Sequence, residues 1–248
     1  MLLNAETAIS TSKVLLVPYS TWHVPRYHEW MQDEEIQEAT ASEPLTIEEE
    51  YSMQRSWRQD ADKLTFITCR PISHERINKK DINLVPEDEA SQNMVGDINL
   101  FLRVDDGDEG DAPPQLIGEI ELMIAEKANQ GHGFGKASLL VFLRYVVERE
   151  AEILDEFVGS LEAGEKERLG QGQGQELKFH CLSVKIGKDN SRSLALFESL
   201  GFVKVSAEPN FFGEFELRRV DLGMDGVLNS LAGAGVEGYV ELAYERKE

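Results

Sequence analysis

The chain has 248 residues, 41% of them hydrophobic and 29% charged, which is enough to bury a full core and excludes a disordered polypeptide. Its 25 basic and 46 acidic residues leave a formal net charge of −21. That balance argues against sequence-independent nucleic-acid binding and against anionic membranes, and favours basic or amine-bearing partners. No apolar stretch reaches transmembrane length and no basic-then-apolar leader opens the chain. Cys69 and Cys181 sit in apolar runs and form no C-x-x-C or Cys/His cluster. A soluble protein, cytoplasmic or nuclear, with reduced core cysteines and no metal is expected.

Residues 13–18 form the first predicted strand. Two helices follow, over about 24–31 and 46–59, the second opened by the capping-box pattern Thr46-x-x-Glu49. Residues 64–69 read as a strand, and the polar, unperiodic stretch 71–93 as a loop insertion. Residues 94–103 and 115–125 pair as a hairpin. Its acidic connection, 104–114, lacks EF-hand spacing and reads as a solvated tip. A long apolar helix runs from 135 to about 157, and 159–176 is a mobile loop rich in Gly, Gln and Glu. A strand over 177–186, a helix from Asn190 and a hairpin of 202–207 with 212–220 complete the pattern. Residues 221–248 read as a short helix around 227–231 and a loosely held extension.

The most informative stretch is Gln130-Gly131-His132-Gly133-Phe134-Gly135-Lys136. A strand precedes it and an apolar helix follows, so bare backbone N–H groups and a helix N-terminus converge on one anion site. A phosphate or pyrophosphate is the expected ligand. A P-loop needs Gly at 130 and a hydroxyl at 137, where Gln and Ala stand. The dinucleotide fingerprint G-x-G-x-x-G fails at Lys136. The pattern Gln-x-x-Gly-x-Gly, filled by Gln130, Gly133 and Gly135, does fit. About sixty residues on, Asn190-Ser191-Arg192-Ser193 caps a helix with Leu194, Phe197 and Leu200 on one face, closed by Gly201-Phe202. Taken alone, the first is also what a plain strand-to-helix turn looks like, and the second a capped amphipathic helix.

Together and in this order, the two motifs resemble the acetyl-CoA sites of the GCN5-related N-acetyltransferase (GNAT) superfamily. Residues 14–19, 27–31, 40–46, 49–57, 95–102 and 118–126 resemble its N-acetyltransferase 9-like branch, so the likeness spans about residues 2–220. It implies an α+β (α/β/α-like) acyl-CoA N-acyltransferase fold: a mixed, mostly antiparallel sheet of about seven strands flanked by helices. The resulting single domain, 1–220, carries insertions near 71–93, 104–114 and 159–176.

The implied activity is direct transfer of an acetyl group from acetyl-CoA to an amine of a protein or peptide. Met123, Ile124 and Ala125 would pair with the pantetheine arm. Gln130, Gly131, His132, Gly133, Phe134, Gly135 and Lys136 would hold the pyrophosphate, and Asn190 and Ser193 would meet the cofactor between splayed strands. Glu119 and Glu121, two apart on one strand, share a face beside Met123 and are the candidate bases, unless both simply face solvent. Glu119, eleven residues before Gln130, matches the glutamate used as base in some members. Many members carry a tyrosine where Phe197 stands, and Phe197 cannot protonate a leaving thiolate. The alternative is a weakly catalytic or non-catalytic GNAT fold acting as a microtubule-associated interaction protein.

Overall fold

A computed structural model describes residues 1–73, 76, 83–107, 113–169 and 177–246. Its strands are β1 (Thr7–Ser10), β2 (Leu15–Pro18), β3 (Lys63–Cys69), β4 (Met94–Asp105), β5 (Gln115–Ile124), β6 (Cys181–Gly187), β7 (Val203–Lys204), β8 (Glu214–Arg219) and β9 (Val240–Ala243). They form one sheet in the order β7-β8-β6-β5-β4-β3-β2-β1-β9, antiparallel except where β5 meets β6. The described helices are α1 (Val24–Trp30), α2 (Glu34–Thr40), α3 (Ile47–Gln59), α4 (Phe134–Glu148), α5 (Glu150–Ser160), α6 (Ala163–Arg168), α7 (Ser191–Glu198) and α8 (Met224–Gly233). None of them is long and apolar enough to cross a membrane.

The alternation of strand side chains builds two apolar layers. On one face Leu64, Phe66, Ile98, Leu100 and Ile120 pack beneath α4, whose Leu139, Leu140, Phe142 and Leu143 are fully buried. On the other, Leu15, Val17, Ile67 and Cys69 lie with Val24, Tyr27 and Trp30 of α1. Each such Leu, Ile or Phe contributes about 1.5–3 kcal/mol by leaving water, so these layers fix the helices against the central strands. Cys69 and Cys181 are both buried free thiols, as expected. The Thr46–Glu49 capping box also forms, with each residue's side chain bonded to the other's backbone N–H.

The sheet has nine strands rather than about seven. The two additions, β1 and β9, pair with each other over four rungs from Thr7↔Ala243 to Ser10↔Val240. Residues 221–246 are therefore not a loose extension. Val227 and Leu231 of α8 are buried, and Tyr244 Oη donates to Glu89 at 2.6 Å. Glu89 lies in the insertion and is itself buried; it also receives His23 Nε2 at 3.1 Å and Arg246 at 2.7 Å. His23 Nδ1 accepts the Ser20 N–H at 3.0 Å, so the ring's proton sits on Nε2 and points at Glu89. The expected 135–157 helix breaks at Arg149, with φ −110° and ψ 16°. Contacts from elsewhere make that turn: Arg149 reaches Glu241 of β9 at 2.7 Å, and Glu150 accepts the Phe179 N–H at 2.8 Å. Helix α2 is a further addition, started by Asp33, which accepts the Glu35 N–H at 2.9 Å. Helix α6 falls in the stretch expected to be a mobile loop. Parts of the three expected insertions (74, 75, 77–82, 108–112 and 170–176) lie outside the described residues.

Candidate active site

Strands β5 and β6 share three parallel rungs, from Ile117↔Cys181 to Glu119↔Ser183, and then part. β6 continues to Gly187 paired to β8, while β5 runs on to Ile124 paired to β4. The wedge between them opens into a cleft of about 470 Å³. Its walls are the end of β5, the glycine loop and the start of α7, with α2 alongside.

The loop's conformation follows from its glycines. Gly131 and Gly133 have φ of 77° and 88°, in the left-handed region that side-chain-bearing residues avoid. Gly133 is the N-cap of α4 and offers no side chain to its first turn. The N–H groups of Phe134, Gly135 and Lys136 are thus presented at the positive end of a 15-residue helix. A Cβ at Gly133 would meet nothing within 4 Å, so the space above the loop is open. Lys136 adds a cation at the cleft wall. His132 is exposed and its Nδ1 donates to the Gln130 carbonyl at 2.9 Å. Phe134 lies under the Arg70 guanidinium, 5.5 Å from the ring centroid.

Gln130 braces the site. Its Nε2 donates to the Ile124 carbonyl at 2.9 Å, and its Oε1 accepts from Arg192 at 3.4 Å, joining loop, β5 and α7. Asn190 Oδ1 caps α7 by accepting the Ser193 N–H at 3.1 Å. Arg192 was not among the expected site residues. A cation in the first turn of a helix opposes the dipole, and that misfit is the signal that could have found it.

The end of β5 divides differently from the expectation. The Ala125 N–H donates to the Val95 carbonyl at 3.0 Å, and Met123 is the rung partner of Asp97. By the alternation of an antiparallel ladder, Met123 and Ala125 therefore turn their backbone toward β4. Of the three residues assigned to the pantetheine arm, Ile124 turns its backbone to the opening, and Leu122 does the same. Met123 and Ala125 line the cleft but have no strand edge to offer.

Glu119 and Glu121 do share a face, but their surroundings differ. Glu119 lies on the last β5–β6 rung and accepts from Lys185 Nζ at 3.0 Å. Glu121 stands two residues past that rung, where the strands have parted. Its side chain is exposed and does not itself line the cleft, but it adjoins Leu122 and Met123 of the cleft wall and sits among other charged groups. Burial, then the charges of Asp97 and Glu119, push its carboxyl up to about 7, with Lys185 acting in the opposite sense. Lys185, the cation that acts on Glu121, is matched to Glu119. Glu121 and Glu214 remain as unmatched negative charge. Phe197 points away, into the core, against Phe202 with ring centroids 5.1 Å apart. Among the described residues no group of three His, Cys, Asp or Glu could hold a metal ion.

Residues 13–203 match the family described as the Acetyltransferase (GNAT) domain. The chain belongs to the GNAT acetyltransferases. It is 41% identical over 221 residues to the alpha/beta-tubulin-N-acetyltransferase 9 of Drosophila melanogaster, covering 88% of this chain and 89% of that protein. To the Homo sapiens protein of the same name it is 38% identical, over 88% and 85% of the two chains. The fold matches the spermidine N-acetyltransferase of Vibrio cholerae solved with CoA and spermine, with a TM-score of 0.51 at 14% identity, covering 84% of this chain and 94% of that one. The protein is an N-acetyltransferase and acetyl-CoA is its cosubstrate. The bare amides, the helix N-terminus, Lys136, Arg192 and the parted strands suit that molecule's pyrophosphate and extended arm.

The glycine loop carries a direct test. A glutamate at Gly133 puts an anion where the pyrophosphate would sit and forces a side chain into φ 88°. Gly133→Glu is expected to weaken acetyl-CoA binding at least tenfold in titration calorimetry. The far-UV spectrum should not change, because the Cβ meets no neighbour.

Proposed function

We propose that this acetyltransferase acetylates an amine of a protein, with Glu121 as general base and tubulin as the acceptor. The observation that carries the base assignment is the position of Glu121 just past the last β5–β6 rung, with a carboxyl raised to about 7. A base poised there takes a proton from an ammonium group near neutral pH, whereas Glu119 is engaged by Lys185. The unmatched negative charge of Glu121 and Glu214 attracts a cationic acceptor. Tubulin is supported by the names of the 41% and 38% identical relatives.

In the reaction the acceptor ammonium gives one proton to Glu121 and becomes a neutral amine. The nitrogen lone pair attacks the thioester carbonyl, the C–S bond breaks, and the second amine proton goes to the departing thiolate. That last transfer removes the need for a hydroxyl at Phe197. Leu122 and Ile124 supply the strand edge along which the acyl arm lies, and the N–H of Ile124 is the donor for the developing oxyanion. A tubulin acceptor would put the enzyme in the cytoplasm. The intact loop, cleft and poised carboxylate speak against a purely non-catalytic role.

Incubating the enzyme with purified tubulin dimer and radiolabelled acetyl-CoA tests the acceptor. Label is expected in α- or β-tubulin with wild type and not with Gly133→Glu. Unlabelled tubulin, with acetyl-CoA binding intact, would overturn the assignment.

A further inference from the structure

Behind Glu121 lies a buried polar chain that the proposed reaction has not used. Asn99 of β4 is the rung partner of Glu121 and, on its other side, of Thr65 in β3. Asp97, two residues along β4, is therefore a diagonal neighbour of Glu121, at about 7 Å by ordinary sheet geometry. Asp97 is 2% and Asn99 3% exposed. Asp97 Oδ2 accepts from Asn99 Nδ2 at 2.8 Å and from Tyr27 Oη of α1 at 3.3 Å. A carboxylate only accepts, so the Asn99 amide must turn its NH₂ to Asp97 and its carbonyl the other way. That carbonyl oxygen is buried and has no hydrogen-bond partner, and neither has Thr65 Oγ1 beside it. A buried acceptor with no donor is costly unless a donor arrives during function.

We propose that Asp97, acting through Asn99, is a positioning residue that makes Glu121 take up the acceptor's proton. The Asp97 charge disfavours a second carboxylate nearby, and the Asn99 carbonyl accepts a hydrogen bond from the protonated Glu121 carboxyl. Tyr27 holds Asp97 from above. When the proton moves from the ammonium to Glu121, the new O–H finds its acceptor in Asn99, and the pair Glu121–COOH and Asp97–COO⁻ carries one negative charge rather than two. The proton leaves to solvent from Glu121 after acetyl transfer.

The other charged and titratable groups around this chain are Glu119 on β5, Lys185 on β6 and Glu214 on β8. From the helical side come Tyr19, Tyr27 and Glu50, with His28 Nδ1 3.7 Å from Glu50. Burial raises Asp97 itself to about 6, so near neutral pH it is largely ionised and able to act on Glu121.

The inference rests on Glu121 being the base, and the experiment separates the two. The acidic limb of kcat/KM is measured for wild type, Asp97→Asn, Asn99→Ala and Glu121→Gln, with one free-N-terminus peptide and saturating acetyl-CoA. The acceptor's own titration is then common to every profile. Asp97→Asn is expected to move the limb down by about one pH unit, and Asn99→Ala in the same direction by less. Acetyl-CoA affinity, measured on the same samples, should stay at the wild-type value and reports that the variants are folded. If Glu121→Gln is inactive but Asp97→Asn leaves the limb in place or raises it, the role of Asp97 is overturned and Glu121 remains the base. If Glu121→Gln keeps the wild-type rate and limb, both fall together.

Discussion

Glu121→Gln is expected to lower kcat with an amine acceptor about a hundredfold or more while leaving acetyl-CoA affinity within twofold of wild type. Loss of a positioned general base typically costs 10²- to 10⁴-fold. Stopped-flow detection of the released CoA thiol measures it. Glu119→Gln should cost only a few-fold, because that carboxylate is held by Lys185 and lies where β5 and β6 are still paired. A reversed order would return the base to Glu119. The same substitution has a stability signature whose sign is fixed. The folded-state carboxyl of Glu121 titrates near 7, well above the value near 4.3 of an unfolded chain. The folded protein therefore holds this proton more tightly. It is penalised as pH rises through the window from about 4.3 to 7, and fully so above it. Glutamine never ionises, so the melting temperature of Glu121→Gln relative to wild type should be higher at pH 8 than at pH 4. A variant that gains stability while losing turnover is the mark of a site under electrostatic strain.

How much of this could be read from the residues depends on how local each signal is. The glycine loop and the Asn190 cap are local: a positive-φ turn needs glycine, and an N-cap needs a short polar side chain. Both stand where the spacing puts them. β4 and β5 announce themselves by ten or more residues of apolar alternation. β1 and β9 do not, since each is four residues long and its partner lies at the far end of the chain. The break at Arg149 has no glycine or proline to mark it, because a contact with Glu241 makes the turn. The choice between Glu119 and Glu121 was equally invisible. Both face one way on one strand, and what separates them is the point where β6 turns aside. Spacing along β5 says nothing of that point, so the match to Glu119 favoured the residue that Lys185 engages.

Gly96→Ala is expected to damage the enzyme more than any change in the cleft itself. Gly96 is the rung partner of Ile124, at the end of β5 that carries the strand edge of the site. A Cβ at Gly96 would lie 1.8 Å from the Met123 carbonyl oxygen and 2.8 Å from its carbon. Neither is the end of a flexible side chain, so β4 and β5 must move apart by more than an ångström. That separation stretches the ladder bonds at Asp97 and Val95 and tilts Ile124 out of the opening. The loss of close packing and of two or so backbone hydrogen bonds puts the cost at about 3–5 kcal/mol, a large share of the 5–15 kcal/mol that holds a typical domain together. In a chain of this size that corresponds to a fall of roughly 10 °C in melting temperature, read by calorimetry. Gly118→Ala is the control. Its Cβ would approach side-chain carbons of Leu100 and Leu182, at 2.7 and 2.9 Å, which can turn away. A smaller loss at 118 than at 96 would show that backbone contact, rather than the glycine's freedom, is what β4 requires at the mouth. An equal loss would place the constraint in the packing of the sheet as a whole. The same measurement bears on Asp97, next in sequence to Gly96. If the strands part there, Asp97 and Asn99 shift from Glu121 together, and any activity left in Gly96→Ala should show an acidic limb displaced as in Asp97→Asn.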